Sequence, residues 1–178
     1  MKISRKVSIV LAAASALAFG PTSLQASERN LDAHEHGVST LRLAQEGKVL
    51  QFELEAPGDD IVGFEHAAEN DAQKSAVTNA LSQLQKPETL FVLPDDANCT
   101  ASDQHAEFET EEDHAEFHVT WTMTCENPAS ATSLAIQFFG IFQRAEEIEV
   151  EAIGNAGQAA IEVEKDQTSV DLSQAIGG

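Results

Sequence analysis

The twelve residues "HAEFHVTWTMTC" (114–125) alternate strictly between polar and apolar side chains. Because successive side chains of a β-strand point to opposite faces of a sheet, this period of two predicts a long strand that is buried on one face only. The core side would hold Ala115, Phe117, Val119, Trp121, Met123 and Cys125. The other side would carry a polar row: His114, Glu116, His118, Thr120, Thr122 and Thr124. Such a strand needs neighbouring strands and a second layer to cover its apolar face.

Further strands and one clear helix follow from the same kind of pattern. The segments "VSTLRLA" and "KVLQFELEA" flank "QEG" and predict a β-hairpin that Pro57 and Gly58 terminate. The stretch "NDAQKSAVTNALSQLQKP" has apolar residues at helical spacing, with Asn70 or Asp71 as N-cap and Pro87 just past the end.

The remaining segments are shorter. The residues "DDIVGFEHAAEN" are expected to form a loop, and "ETLFVLP" a short buried strand that Pro94 ends. The polar residues 100–113, "TASDQHAEFETEED", are expected to form an acidic loop that carries histidine. A strand followed by a short helix near Gly140 and Arg144, then two strands around "NAG" and a terminal strand over 168–172, complete the chain. The prediction is one α+β domain over residues 27–178, mostly antiparallel sheet in one layer or two, with one clear helix and a shorter second one.

The first 26 residues have the features of a cleaved signal peptide. Three basic residues precede the apolar stretch "VSIVLAAASALAF", which ends at Gly20 and Pro21, and "SLQA" ending at Ala26 is an acceptable cleavage site. The apolar stretch is too short for a membrane anchor, and no later segment is long and apolar enough. The mature protein is therefore expected in the periplasm, without insertion into the membrane.

The charge of the mature chain is strongly negative. Residues 1–26 hold three of the ten basic residues and no acidic one, so seven basic residues remain against thirty acidic residues, a net charge of −23. This charge argues against nucleic acids and anionic lipids as partners, because both require a basic surface. The charge permits cation binding, although carboxylates that only keep the protein soluble would give the same balance.

The two cysteines, Cys99 and Cys125, both belong to the mature chain. In an oxidising compartment a small, even number of cysteines predicts a disulfide bond. Two free thiols are the alternative.

Two of the six histidines, His34 and His36, lie in "AHEHG" just before the first hairpin. In an extended segment residues i and i+2 project from the same face about 6.5–7 Å apart, so both imidazoles could bind one ion. Zinc takes three or four ligands, and His66 in the following loop is the candidate for a third. The alternative is that all three are ordinary solvent-facing histidines.

A second group of candidate metal ligands lies in and beside the acidic segment. His114 and His118 flank Glu116 on the polar face of the long strand, and His105 precedes them with several carboxylates. The spacing on the strand is too wide for one ideal tetrahedral ion unless the acidic segment bends toward it. Such a group would bind zinc weakly and reversibly. A disordered acidic loop is the competing interpretation.

Motifs of enzymes are missing from the sequence. There is no Gly-x-Ser-x-Gly, no glycine-rich phosphate loop and no His-Glu-x-x-His, and a paired cysteine is not a nucleophile. The prediction is a zinc-binding protein that is not an enzyme. The alternatives are an acidic adaptor whose histidines are incidental, and a copper or nickel module, although only Met1 and Met123 are present, which argues against cuprous copper.

The order of the motifs is more specific than any one of them. "AHEHG" precedes "LxxAxxGxxLxxxLEAPxxDxxGFEHAA" over residues 41–68, then come a helix, "LFVLPxxAxC" over 90–99, a histidine-bearing acidic segment and a strand that ends in "TC". This order resembles the ZrgA-like family of periplasmic zinc-uptake accessory proteins. The resemblance covers nearly all of the mature chain, to the hairpin "EAIGNAGQAAIEVE".

The resemblance implies a periplasmic protein that binds Zn²⁺ and assists a high-affinity zinc ABC importer beside the importer's solute-binding protein. Family members usually carry a long insertion rich in His, Asp and Glu between the two cysteines. Here it is reduced to "SDQHAEFETEEDHAEFH", with three histidines. This departure puts a storage role of that segment in doubt and favours His34, His36 and His66 as the zinc ligands.

Overall fold

The computed structural model describes residues 37–111 and 114–177, and these residues form two β-sheets and four α-helices. The strands are β1 (Val38–Glu46), β2 (Val49–Pro57), β3 (Phe91–Val92), β4 (Cys99–Glu111), β5 (His114–Cys125), β6 (Ser133–Ile136), β7 (Glu147–Gly154), β8 (Gly157–Glu164) and β9 (Ser169–Asp171). The helices are α1 (Gly58–Val62), α2 (Asp71–Leu84), α3 (Pro87–Leu90) and α4 (Phe138–Ile141).

The large sheet has the order β4-β5-β2-β1-β7-β8, and the small sheet has the order β3-β6-β9. Every pairing is antiparallel except that of β1 with β7, which is parallel. The predicted class, α+β with a mostly antiparallel sheet, is therefore confirmed, as are the hairpins β1–β2 and β7–β8.

The long strand β5 behaves as its alternation predicts. Its side chains from Ala115 to Cys125 alternate between buried core positions and exposed or half-buried positions. Trp121, which is 1% exposed, packs against Phe52 and Phe91 and donates its Nε1–H to the carbonyl of Leu84 at 2.7 Å. This bond ties the inner face of the sheet to the end of α2. The helices and the small sheet thus bury one face of the large sheet.

The main helix α2 also agrees with the sequence prediction. Asn70 is its N-cap, and its side chain accepts the backbone N–H of Gln73, while Gln73 Oε1 accepts the backbone N–H of Glu69. These reciprocal bonds satisfy N–H groups at the helix start that have no partner within the helix. The shorter second helix that was expected near Gly140 corresponds to α4.

The expectation of an acidic loop over 100–113 was wrong for its described part. Residues 99–111 form β4, which pairs with β5 from Cys99 opposite Cys125 to Glu111 opposite His114. The polar composition suggested a loop, but "HAEFE" alternates, and Ala106 and Phe108 pack against the core. Pairing with a long neighbouring strand outweighs the low strand propensity of acidic residues.

Two short segments also differ from the expectation. The segment "ETLFVLP" contributes a helical turn, α3, before a strand of only two residues, because Pro87 occupies a favourable first helical position. The start of the expected loop after β2 is the short helix α1, which Gly63 ends in the left-handed conformation (φ 85°).

The two cysteines form the disulfide Cys99–Cys125, with an S–S distance of 2.03 Å. Their positions are directly opposite each other on β4 and β5, so the bond joins the open end of this hairpin. The proposed signal peptide, residues 1–26, lies outside the described residues. Among the described residues, no helix has the length and apolarity that crossing a membrane requires.

Candidate metal centre

One end of the β4–β5 hairpin brings together Glu109, Glu116 and His118. Glu109 pairs directly with Glu116 across the two strands, and His118 follows Glu116 by two residues on the same face. Each residue offers one ligand atom, and the three atoms all lie within 4.8 Å of one another. Within the described residues, this is the one group of three or more potential metal ligands that comes so close together.

The three side chains differ in exposure and spacing. His118 Nε2 donates to Glu116 Oε1 at 2.6 Å and lies 3.8 Å from Glu109 Oε2. His118 and Glu116 are 28% and 22% exposed, whereas Glu109 is 49% exposed. The cluster is therefore sheltered on one side and open to solvent on the other.

The electrostatics of the cluster favour a positive charge. Partial burial acts to lower the pKa of His118, but the hydrogen bond to Glu116 and the charges of Glu116, Glu109 and Glu55 outweigh it and raise that pKa. Glu55 contributes because β2 places it directly opposite His118. A position that stabilises an imidazolium also stabilises a metal cation, provided that the imidazole is neutral when it binds.

The donor set fits zinc. One imidazole nitrogen and two carboxylate oxygens are typical zinc ligands, and three protein ligands leave a fourth position for water or an incoming group. With metal–ligand bonds of about 2.0–2.1 Å, tetrahedral ligand atoms are separated by about 3.3 Å. The His118–Glu109 distance is already close to this value, whereas the hydrogen-bonded His118–Glu116 pair would have to separate slightly.

His105 and His114 share the outer face with this cluster but are not part of it. His105 lies opposite Thr120 and is 66% exposed, with its Nε2 3.6 Å from a carboxylate oxygen of Glu107. His114 is exposed at the start of β5. The sequence placed His114, Glu116 and His118 on one face correctly. It did not single out Glu109, which became visible only through the register of β4 against β5.

His66 lies elsewhere. Its exposed ring packs against Phe64 at 5.1 Å between centroids, and Phe64 in turn packs edge-on against Phe108. Phe108 faces the inner side of β4, where it contacts Phe117, whereas His118 faces the outer side. The structure therefore does not bring His66 to the Glu109–Glu116–His118 cluster.

His34 and His36 lie outside the described residues, but the residue that follows them is well anchored. The N–H of Gly37 donates to Oδ1 of Asp60 at 2.8 Å, and its carbonyl accepts the N–H groups of residues 146 and 147. Asp60 is 1% exposed and belongs to α1, six residues before His66. Gly37, the residue directly after the His-x-His segment, is thus bound to α1. In the chain, α1 is followed by the segment that carries His66.

The comparison with protein families agrees with this chemistry. The family model described as "ZrgA family zinc uptake protein" matches residues 33–172, which include β1 to β9 and nearly all described residues. No match is found among the curated proteins. The family is one of zinc uptake rather than a known family of enzymes, and the disulfide is typical of extracytoplasmic proteins. The chain belongs to the ZrgA family of zinc uptake proteins.

Proposed function

We propose that the mature protein is a periplasmic accessory protein that captures Zn²⁺ and assists a high-affinity zinc ABC importer. The observation that carries this proposal is the Glu109–Glu116–His118 cluster in a member of a zinc uptake family. A protein of this kind binds zinc and passes it on without chemical conversion. The captured ion is cargo, so its site has to release it as well as hold it.

Two groups of ligands serve different purposes in this proposal. His34, His36 and His66 form the tighter site, which is supported by the bond that fixes Gly37 to Asp60 on α1. Three imidazoles bind zinc more strongly than one imidazole with two carboxylates, because imidazole is the better match for this ion. The tighter site captures zinc at low concentration.

The Glu109–Glu116–His118 cluster forms a second, weaker site on the outer face of the sheet. His105 and His114 lie on the same face and contribute only additional, weak binding. His105 is 66% exposed and would have to give up side-chain freedom to reach an ion.

Zinc titrations of single variants test this division. His66→Ala should lower the affinity of the tightest site, and His118→Ala should weaken only the second site. His105→Ala is the matched control for His118→Ala, because it removes an imidazole from the same face but outside the cluster. We expect His105→Ala to change both affinities by less than about twofold. Equal losses for His66→Ala, His118→Ala and His105→Ala would contradict two separate sites.

Metal competition tests the choice of ion. The cysteines are joined in a disulfide and offer no thiolate, and the remaining donors are nitrogen and oxygen, which suit Zn²⁺, Ni²⁺ and Cu²⁺. Copper binds such donors more tightly than zinc in general, so affinity alone does not identify the cargo. Zinc content of protein purified from the periplasm of zinc-limited cells is the decisive measurement, and a protein that carries nickel or copper there would refute the assignment.

Delivery to the importer is tested by zinc transfer to its purified solute-binding protein. Transfer that accelerates with acceptor concentration, and exceeds release to a small chelator, would support direct delivery. A rate equal to spontaneous dissociation would indicate simple buffering. A protein that binds no zinc at all would favour the acidic adaptor with incidental histidines.

A further inference from the structure

The outer face of the large sheet, here called the acidic face, consists of the outward side chains of β4, β5, β2, β1, β7 and β8. The cross-strand register aligns them in rows, one of which runs through Glu107, His118, Glu55, Thr40, Glu149 and Glu162. Among the described side chains, this face has a single guanidinium, Arg42, and twelve carboxylates: Asp103, Glu107, Glu109, Glu116, Glu46, Glu53, Glu55, Glu147, Glu149, Glu151, Glu162 and Glu164.

Arg42 does not make this face a site for anions. It lies 2.9 Å from Glu55 and 3.3 Å from Glu151, with Glu53 at 3.9 Å, so carboxylates of β2 and β7 already surround it. These contacts raise the pKa of Arg42 through its hydrogen bond to Glu55, and partial burial only partly opposes them. Arg42 therefore links carboxylates of β2 to a carboxylate of β7. Three carboxylates surround this one guanidinium, so the net charge around it remains negative.

The centre of the acidic face is concave. A groove of about 810 Å³ crosses it, and outward residues with short side chains, Ala44, Thr122 and Ala160, lie along this groove. Ile153 also lines this groove and, at 58% exposed, is the most exposed large apolar side chain among the described residues. The face thus combines a negative rim with a partly apolar groove, as protein interfaces do.

The size of the face matches a protein partner. Five strand spacings of about 4.8 Å and eight residues at about 3.3 Å give a face of roughly 24 by 26 Å, or about 600 Å². One partner of a standard protein interface contributes about 800 Å². Binding of a small cation would require neither an area of this size nor an exposed apolar side chain such as Ile153. A second copy of the chain would bring the same carboxylates against each other and would be repelled.

We propose that the acidic face docks a folded protein through a patch rich in lysine and arginine, with a long side chain of that partner in the groove. This inference rests on the proposed function for the identity of the partner, the importer's solute-binding protein. It adds the surface that is used and the chemistry of the partner's surface. The Glu109–Glu116–His118 cluster lies on the same face, so a docked partner would meet the weaker zinc site.

The test uses the full mature protein and the purified solute-binding protein of the importer. The variant Glu149→Lys/Glu162→Lys reverses two neighbouring charges on β7 and β8, outside the metal cluster. The control Glu69→Lys/Glu88→Lys makes the same change in net charge at exposed positions beside α2 and in α3. Zinc titrations and thermal unfolding of both variants should match those of the unmodified protein.

We expect the acidic-face variant to bind the solute-binding protein at least about tenfold more weakly, mainly through slower association, with a smaller dependence on salt. The control should change the affinity by less than about twofold. The docking inference would be overturned if both variants weakened binding of the solute-binding protein equally, or if neither variant weakened it. Self-association of the unmodified protein that the acidic-face variant abolishes would assign the face to a second copy, which also overturns it.

Zinc transfer separates this inference from the proposed function. If the acidic-face variant still delivers zinc at an undiminished rate that depends on acceptor concentration, the proposed function stands and the docking face is wrong. If the unmodified protein binds zinc but never transfers it to the acceptor, the proposed delivery itself fails.

Discussion

Reduction of the Cys99–Cys125 bond should cost about 3.5 kcal/mol of the free energy of unfolding. The cysteines are 26 residues apart, and a cross-link that closes a loop of this length restricts the unfolded chain by about that amount at 25 °C. For a domain of this size, each kcal/mol shifts the melting temperature by about 2–4 °C, so we expect a loss of about 7–14 °C.

Urea unfolding of the oxidised and reduced protein, both without metal, measures this value. Reduction leaves both sulfur atoms in place, so it isolates the effect of the cross-link. The variant Cys99→Ala/Cys125→Ala should lose somewhat more, because Cys125 is fully buried and its sulfur fills part of the core. Thr100→Ala, at an exposed neighbouring position of β4, is the control and should change little.

Reduction of the disulfide should leave the proposed weaker zinc site intact while the protein remains folded. Cys125 is seven residues from His118 along β5, a distance of about 23 Å in an extended strand. A difference in unfolding free energy below about 1 kcal/mol would show that other structure already restrains the unfolded chain. If reduced but folded protein lost zinc binding at this cluster, the expectation that the cluster does not depend on the disulfide at the other end of the hairpin would be refuted.

Three further predictions concern single residues. Asp60→Ala should lower the unfolding free energy by about 1–3 kcal/mol in urea titrations, because it leaves the N–H of Gly37 without its buried acceptor. Gly58→Ala should cost a similar amount by the same assay, since its new Cβ would lie 2.5 Å from the carbonyl oxygen of Phe64. The folded protein raises the pKa of His118, so this imidazole stabilises the fold below its unfolded pKa and loses that contribution as the pH rises through its folded pKa. Metal-free His118→Gln should therefore be less stable than the unmodified protein at about pH 5.5 but not at about pH 8.5, by urea unfolding at both values.

Local periodicity was sufficient to predict β5, the hairpins β1–β2 and β7–β8, and the main helix α2. β5 and the hairpins β1–β2 and β7–β8 have uninterrupted alternation, and α2 has both a cap residue and a helical pattern. The error over 100–111, the described part of the expected loop, arose where composition and alternation disagreed. An acidic segment is unfavourable as an isolated strand, but β5 supplies a partner along its length and Cys99 is held opposite Cys125.

The candidate site could be predicted only in part, because its geometry depends on pairings between distant segments. His118 and Glu116 are neighbours in sequence and their shared face follows from alternation. Glu109 reaches them through the register of β4 against β5, and that register includes a shift near Ala101. Glu55 faces His118 because β5 pairs with β2 after the chain has passed through α2, β3 and β4. No local pattern encodes these pairings.

The hydrogen bond between His118 and Glu116 bears on how readily the proposed weaker site would release zinc. A zinc ion bound to both residues has to replace this 2.6 Å contact and the proton that it contains. Hydrogen bonds to charged groups contribute about 1.5–3 kcal/mol, so their loss lowers the zinc affinity by roughly 10- to 150-fold relative to the same donors without the bond. The strands hold the three donors in place, so the bond re-forms as soon as the ion leaves. A site whose empty state is stabilised in this way would hold zinc less tightly, which suits the proposed transfer to a partner better than long-term storage.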